Sequence, residues 1–112
     1  LKKGKNVLYA IDQDYGWENS DELSFFKNPA ATINTTRKIL DITQCNLLFV
    51  NSYFHEKKLV IEIESIKHHG LDSMQLAQKI NDLMEQKIIL HPEEYLWSHR
   101  RFKSTLGKNF YK

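Results

Sequence analysis

The stretch that most constrains this chain is residues 72–88. Apolar side chains at Met74, Ala77, Ile80, Leu83, Met84 and Ile88 recur at the three- and four-residue spacing that gathers them on one face of an α-helix. Asp72 and Ser73 stand immediately ahead as N-cap candidates, so the pattern predicts one long amphipathic helix. Such a helix is stable only if its stripe is buried, and the remainder of the chain must supply the covering layer. A period of two appears just upstream. Asn46–Phe54 and Lys58–Glu64 are rich in β-formers and are separated by His55-Glu56-Lys57, which predicts an antiparallel hairpin. In its second run Leu59, Ile61 and Ile63 alternate with Val60, Glu62 and Glu64, as expected of a strand near an edge that wets its acidic side. Leu47-Leu48-Phe49-Val50 predicts burial of the first strand.

The N-terminal part reads less regularly. Asn6–Ile11, with little polar alternation, predicts an interior strand, and the polar stretch from Asp12 to Pro29 predicts a long loop after its carboxyl end. Ala30 to about Thr43, opened by Pro29, predicts a helix that would form the right-handed crossover of a βαβ unit. Pro92 restarts the chain, and Glu93-Glu94 ahead of Arg100, Arg101 and Lys103 complement the dipole of a last helix. Residues 104–112 carry no sustained period. The expected class is α/β, in the order β, loop, α, β, β, α, α, as one domain over residues 1–112. A chain of this length buries roughly two-thirds of its unfolded surface, enough for one core. Sixteen Lys and Arg against fourteen Asp and Glu leave a net charge of +2, too small for a dedicated nucleic-acid binder. No apolar run approaches the roughly 20 residues that span a bilayer. The first residue is Leu1 rather than Met and no signal-peptide core follows, so the chain is expected to be part of a longer one.

Several residues could carry chemistry. Asp12-Gln13-Asp14-Tyr15-Gly16 puts two carboxylates and an amide on one loop, where they could orient a base, bind a metal or grip hydroxyl groups. The same residues also suit the capping of a turn. Acids at i and i+2 lack the further oxygens of a calcium loop. The adjacent His68-His69 would diverge in a turn with no cysteine set to complete a zinc site, so neither metal nor cofactor is expected. The single cysteine, Cys45, excludes an internal disulfide and reads as a core thiol. On the predicted last helix Tyr95, His99 and Phe102 share a docking face, while Trp97, Arg100 and Arg101 spread over the opposite one. Arg101 could stack on Trp97 and offer its donors to an anion; equally, Arg100 or Arg101 could pair with Glu85, Glu93 or Glu94.

The run His91-Pro92-Glu93-Glu94-Tyr95-Leu96-Trp97-Ser98-His99-Arg100-Arg101-Phe102-Lys103 closely resembles the C-terminal signature of the bacterial lipid A biosynthesis acyltransferases, Pro-Glu-Gln-Tyr-x-Trp-x-His-Arg-Arg-Phe-Lys. Asp12-Gln13-Asp14-Tyr15-Gly16 resembles that family's Asp-Gln-Asp-Tyr-Gly loop. Phe25-Phe26 with Pro29-Ala30-Ala31-Thr32 resembles its Phe-Phe-Gly-x-Pro-Ala-Ala-Thr stretch, and Ile80-Asn81 through Glu85 its Ile-Asn helix. Lys27 stands where the family usually has Gly, Glu94 replaces the common Gln, and the Val-Pro lead-in is absent.

The resemblance implies the C-terminal portion of a glycerolphosphate-acyltransferase-like α/β fold. It also implies an enzyme at the cytoplasmic face of the inner membrane that transfers a fatty acyl chain from acyl carrier protein to a lipid A precursor. The family's base-and-orienter motif is His-x-x-x-x-Asp. Five positions beyond His55, His68, His69, His91 and His99 lie Val60, Ser73, Met74, Leu96 and Ser104, so the motif does not occur in this chain and no catalytic residue carries over. Asp12, Gln13 and Asp14 carry over as acceptor-facing residues, and Arg100, Arg101 and Lys103 as contacts for lipid phosphates. Alone, the chain is expected to be inactive, to pair with the N-terminal half of such an enzyme, and to self-associate through uncovered sheet. The competing expectation is a small non-enzymatic module that binds anionic lipid, or another acidic partner, through its basic C-terminal segment.

Overall fold

The computed structural model describes residues 4–111. It is a mixed α/β structure with two separate two-stranded antiparallel sheets and two α-helices. The order is β1 (Ser20–Phe25), β2 (Asn28–Ile33), α1 (Thr36–Thr43), β3 (Leu48–His55), β4 (Lys58–Ser65) and α2 (Ser73–Leu90), followed by 3-10 turns at Pro92–Glu94 and Lys108–Tyr111.

Helix α2 is the spine, as its stripe predicted. Asp72 caps it in a full capping box: the carboxylate accepts from Gln75 N at 2.8 Å, and Gln75 Oε1 accepts from Asp72 N at 3.0 Å. Leu76, Ala77, Ile80, Met84 and Ile88 are buried, and all but Ala77 join Phe25, Ala30, Leu40 and Ile66 in one apolar cluster. Met74, expected in the stripe, stays half exposed in the first turn.

The β3–β4 hairpin forms in the expected region, with Ser52 opposite Ile61 and a two-residue turn at Glu56-Lys57. Its facing is the reverse of the expectation. Glu62 and Glu64 turn toward α2, where Lys87 Nζ meets them at 2.9 and 3.3 Å, and Leu59, Ile61 and Ile63 face outward. The hydrogen bond from Lys87, helped by Asn51, holds the Glu62 carboxyl below its ordinary range. Ion pairing with the last turn of α2 therefore decides which face looks inward. On β3, Leu48 and Val50 are likewise exposed while Phe49 packs against the core, so this strand is not buried on both sides.

Three further expectations are corrected. Asn6–Ile11 forms no strand: among the described residues each sheet is complete as a hairpin, no strand pairs with this segment, and Val7 and Leu8 are exposed. The presumed loop contains β1 and the start of β2, a hairpin hidden by its composition, and with it the βαβ crossover disappears. The predicted Ala30–Thr43 helix is half strand. Ala30–Ile33 belong to β2, where Ala30, Ala31 and Thr32 are buried, and α1 starts only at Thr36.

Hairpin β1–β2 turns at Phe26 and Lys27, with φ of 48° and 61°. Two successive positive φ values are those of the tight turn that suits antiparallel strands and favours Asn-Gly or Gly-Gly. Side chains reach both outer edges of this hairpin. On the β1 side α2 supplies Gln78, Asn81 and Glu85: Gln78 Oε1 accepts from Ser24 N at 2.9 Å, Asn81 Nδ2 donates to Ser24 O at 2.9 Å, and Glu85 Oε1 accepts from Phe26 N at 2.7 Å. On the β2 side Thr105 Oγ1 donates to Pro29 O at 2.6 Å and Arg101 Nη1 to Ala31 O at 2.7 Å. Ser24, Pro29 and Ala31 thus find side-chain partners without a third strand.

Candidate functional site

The segment after α2 is not a helix beyond Pro92–Glu94; it runs as successive turns through residue 106. The turns fold it back over β2 and against the loop at residues 12–16. Tyr95 and Phe102 pack against the core around Phe25, as the expected docking face required, although by turns rather than helical periodicity. Trp97 does not stack with Arg101. Its indole Nε1 donates to Pro92 O at 2.6 Å, its ring meets Tyr95 edge-on, and its outer side is exposed.

Asp14 is the pivot of this region and is only 2 % exposed. Its Oδ1 accepts from Ser104 Oγ at 2.7 Å and from Gly16 N at 2.9 Å, and its Oδ2 accepts from Ser104 N at 2.9 Å. Its own backbone N–H donates to His99 Nε2 at 3.0 Å, which leaves the ring proton on Nδ1. Desolvation would raise the Asp14 carboxyl, but the bonds from Ser104 and Gly16, with Lys103 nearby, outweigh it and hold the group below its ordinary value. Gly16, at φ 87°, adopts the left-handed conformation this closure needs.

Arg101, also 2 % exposed, is the second pivot. Besides its bond to Ala31 O, its Nη2 donates to Thr32 Oγ1 at 2.9 Å, and its guanidinium carbon lies 5.1 Å from the centre of the Phe25 ring. Thr32 Oγ1 also accepts from Asn81 Nδ2 at 3.0 Å, so Arg101, Thr32 and Asn81 form one buried chain. Burial pushes the Arg101 pKa down, and the nearby Tyr95, Asp14 and Asp12 pull against it. Burial together with Asp12 pushes the Tyr95 phenol up to about 12, so it stays protonated through the neutral range.

The structure therefore brings Asp12, Asp14 and Arg101 into one neighbourhood and leaves Arg100 and Lys103 on the exposed side of the same segment. Gln13 is half-buried beside Asp14. Arg101 pairs with none of Glu85, Glu93 and Glu94. Those carboxylates instead serve Phe26 N (Glu85) and Phe54 N (Glu94, 3.0 Å), and Glu93 approaches His91 at 3.9 Å. Sequence reasoning missed Ser104, Thr32 and the site role of His99. Asn81 did carry a signal, a polar residue between Ala77 and Met84 on the apolar face of α2. Among the described residues no group of three or more His, Cys, Asp and Glu is placed to hold a metal ion. No helix among them is long and apolar enough to cross a membrane.

Comparison with known proteins bears on this geometry directly. The family described as bacterial lipid A biosynthesis acyltransferase matches residues 1–104, a span that ends on the serine that holds Asp14. The chain belongs to this family. The lipid A biosynthesis palmitoleoyltransferase of Escherichia coli K12 is 36 % identical over 109 residues, which cover 93 % of this chain and 35 % of that protein. The lauroyltransferase of the same organism is 33 % identical over 109 residues, covering 36 % of its length. A lipid A biosynthesis acyltransferase of Haemophilus influenzae is 25 % identical over 99 residues, 87 % of this chain and 31 % of that protein. The chain thus spans about a third of the length of the curated relatives it matches. No solved structure matches it. The segments Asp12–Gly16 and His99–Ser104, far apart in sequence, are here one hydrogen-bonded unit.

Proposed function

We propose that this chain is the acceptor-binding, C-terminal part of a lipid A biosynthesis acyltransferase. The complete enzyme moves a fatty acyl chain from acyl carrier protein to a lipid A precursor at the cytoplasmic face of the inner membrane, within a glycerolphosphate-acyltransferase-like fold. The observation that carries this reading is the joining of the two family segments through Asp14, Ser104 and His99. Asp14 spends its acceptors on Ser104 and Gly16, and so acts as a positioning residue. Asp12 and Gln13, held by that closure, face the acceptor, and the exposed Arg100 and Lys103 attract its phosphates. Arg101 fixes the segment to β2. No histidine here acts as the base that takes the acceptor hydroxyl's proton: none is followed by Asp at the motif spacing, and His99 already accepts from Asp14 N.

The test is acyl transfer and acceptor binding by the purified chain. Incubated with acyl-loaded carrier protein and a lipid A precursor, it forms no acylated product, yet it binds the precursor. Replacing Arg100 and Lys103 together by Ala weakens that binding, at about 1 kcal/mol per charge near an anionic surface. Transfer above the protein-free background would overturn the division of labour, and binding indifferent to both replacements would overturn the role of the basic residues. Trp97 and Leu96, 60 % and 59 % exposed beside Arg100, favour a second reading in which this surface simply docks an anionic bilayer. Vesicle binding unchanged by phosphate headgroup content would eliminate that reading.

A further inference from the structure

Two buried polar atoms beside the candidate site have no hydrogen-bond partner, the Tyr95 hydroxyl and Arg101 Nε. Both are shielded by residues of this chain itself: Tyr95 packs on the core around Phe25, and Arg101 is 2 % exposed, so any further chain could only deepen their burial. A buried donor left unpaired costs stability that an apolar side chain of the same shape does not, so an orphaned hydroxyl calls for a use other than folding. Burial and the charge of Asp12 hold the proton on Tyr95 up to about 12, which keeps this hydroxyl a donor throughout the neutral range.

The neighbouring acids single out one acceptor for that proton. Asp14 has both carboxylate oxygens committed to Ser104 and Gly16, and Tyr111 Oη already accepts from Phe102 N at 2.6 Å. Asp12, half-buried, is the remaining acid whose charge reaches both Tyr95 and Arg101. Arg101 draws it inward, because the guanidinium donates only to the uncharged Ala31 O and Thr32 Oγ1 and its charge is answered from a distance by Asp14 and Asp12. We propose that Tyr95 is a positioning residue for Asp12: on acceptor binding its hydroxyl donates to one Asp12 oxygen and leaves the other aimed at a hydroxyl group of the acceptor. The inference rests on the acceptor-binding reading above and adds to it the group that orients Asp12. Hydrogen bonds of this kind are often long in a free enzyme and tighten in the complex. A phenol on a carboxylate makes a charge-assisted bond, roughly twice as strong as a neutral one, and removes the carboxylate's freedom to turn away. Carrying Tyr rather than Phe here thus trades stability of the free chain for hold on the bound acceptor.

The test sets Tyr95→Phe against the native 112-residue chain in two measurements. In thermal melts of the free chain, Tyr95→Phe should melt no lower than the native chain, because the hydroxyl it removes bonds to nothing there. In titration with a lipid A precursor the same variant should bind about tenfold more weakly, the loss expected for one hydrogen bond to a charged group. Asp12→Ala should weaken binding as well, and Tyr95→Phe added to Asp12→Ala should cost nothing further. With the tyrosine Cζ atoms isotope-labelled, the Tyr95 resonance should move when precursor is added to the native chain and stay in place in Asp12→Ala, a signature that a packing role does not give. A lower melting temperature for Tyr95→Phe overturns the proposal, since the hydroxyl then has a partner in the free chain. Equal binding by the native chain and Tyr95→Phe, or losses that add in the double variant, overturn it as well. A native chain that itself fails to bind the precursor is a distinct result, which strikes the acceptor-binding reading and takes the role of Tyr95 with it.

Discussion

Replacing Asp14 by Asn isolates the contact on which the candidate site depends. The change preserves shape and removes the charge. Asn Oδ1 can still accept from Ser104 Oγ and Gly16 N, but the amide nitrogen then faces the Ser104 N–H, so two donors meet where a donor met an acceptor 2.9 Å away. A hydrogen bond to a charged buried group contributes about 1.5–3 kcal/mol, and orphaning its partner adds to the loss. The expected destabilisation is about 3 kcal/mol, a fall of roughly 12 °C in Tm for a domain of this size. The pH dependence identifies the cause. The folded-state carboxyl lies below its ordinary value of 3.8, so its contribution is complete above that value and is lost as pH falls through the depressed one. The gap between the native chain and Asp14→Asn should be constant near neutrality and narrow as pH falls below 3.8. Thermal melts followed by circular dichroism across pH 3–7 measure it. A gap under 1 kcal/mol at pH 7, or one that does not narrow in acid, would refute the reasoning.

Other outcomes follow from the same structure. Lys27→Gly should raise stability by about 0.5–1 kcal/mol in denaturant titration, because Gly removes the side-chain cost of the positive φ at that turn position. Arg101→Met should cost about 3 kcal/mol by leaving Ala31 O without its side-chain donor and Thr32 Oγ1 with Asn81 alone, whereas Arg100→Met, at an exposed position, should shift the midpoint by less than about 0.5 kcal/mol. Asp72→Ala should cost about 1 kcal/mol through loss of the capping box, read in the same titration.

Legibility in the sequence followed the strength of local signals. Helix α2 was readable because an apolar period and a cap coincide, and β3–β4 because a period of two brackets a short turn. The facing of β4 was not, since alternation says that two sides differ and not which is covered; Lys87 on a distant helix decides that. Hairpin β1–β2 was hidden by Asp, Glu, Ser, Asn and Pro in its strands and by Phe26-Lys27 in a turn that usually signals itself with Asn-Gly. It stands because α2 and residues 101–105 supply its edge hydrogen bonds, a tertiary contribution with no sequence period. At the site, Asp12, Asp14 and Arg101 were identifiable from their family segments. Their roles were not, because the hydrogen bonds from Asp14 to Ser104 and His99 span 90 and 85 residues.

The most direct test of the joined loop and C-terminal segment is a nuclear magnetic resonance measurement on the ring of His99. The account predicts scalar coupling across the hydrogen bond between the Asp14 backbone nitrogen and His99 Nε2, with the ring proton on Nδ1 and a slowly exchanging Asp14 amide. An uncoupled ring with its proton on Nε2, and an Asp14 amide that exchanges at the rate of an open loop, would contradict it.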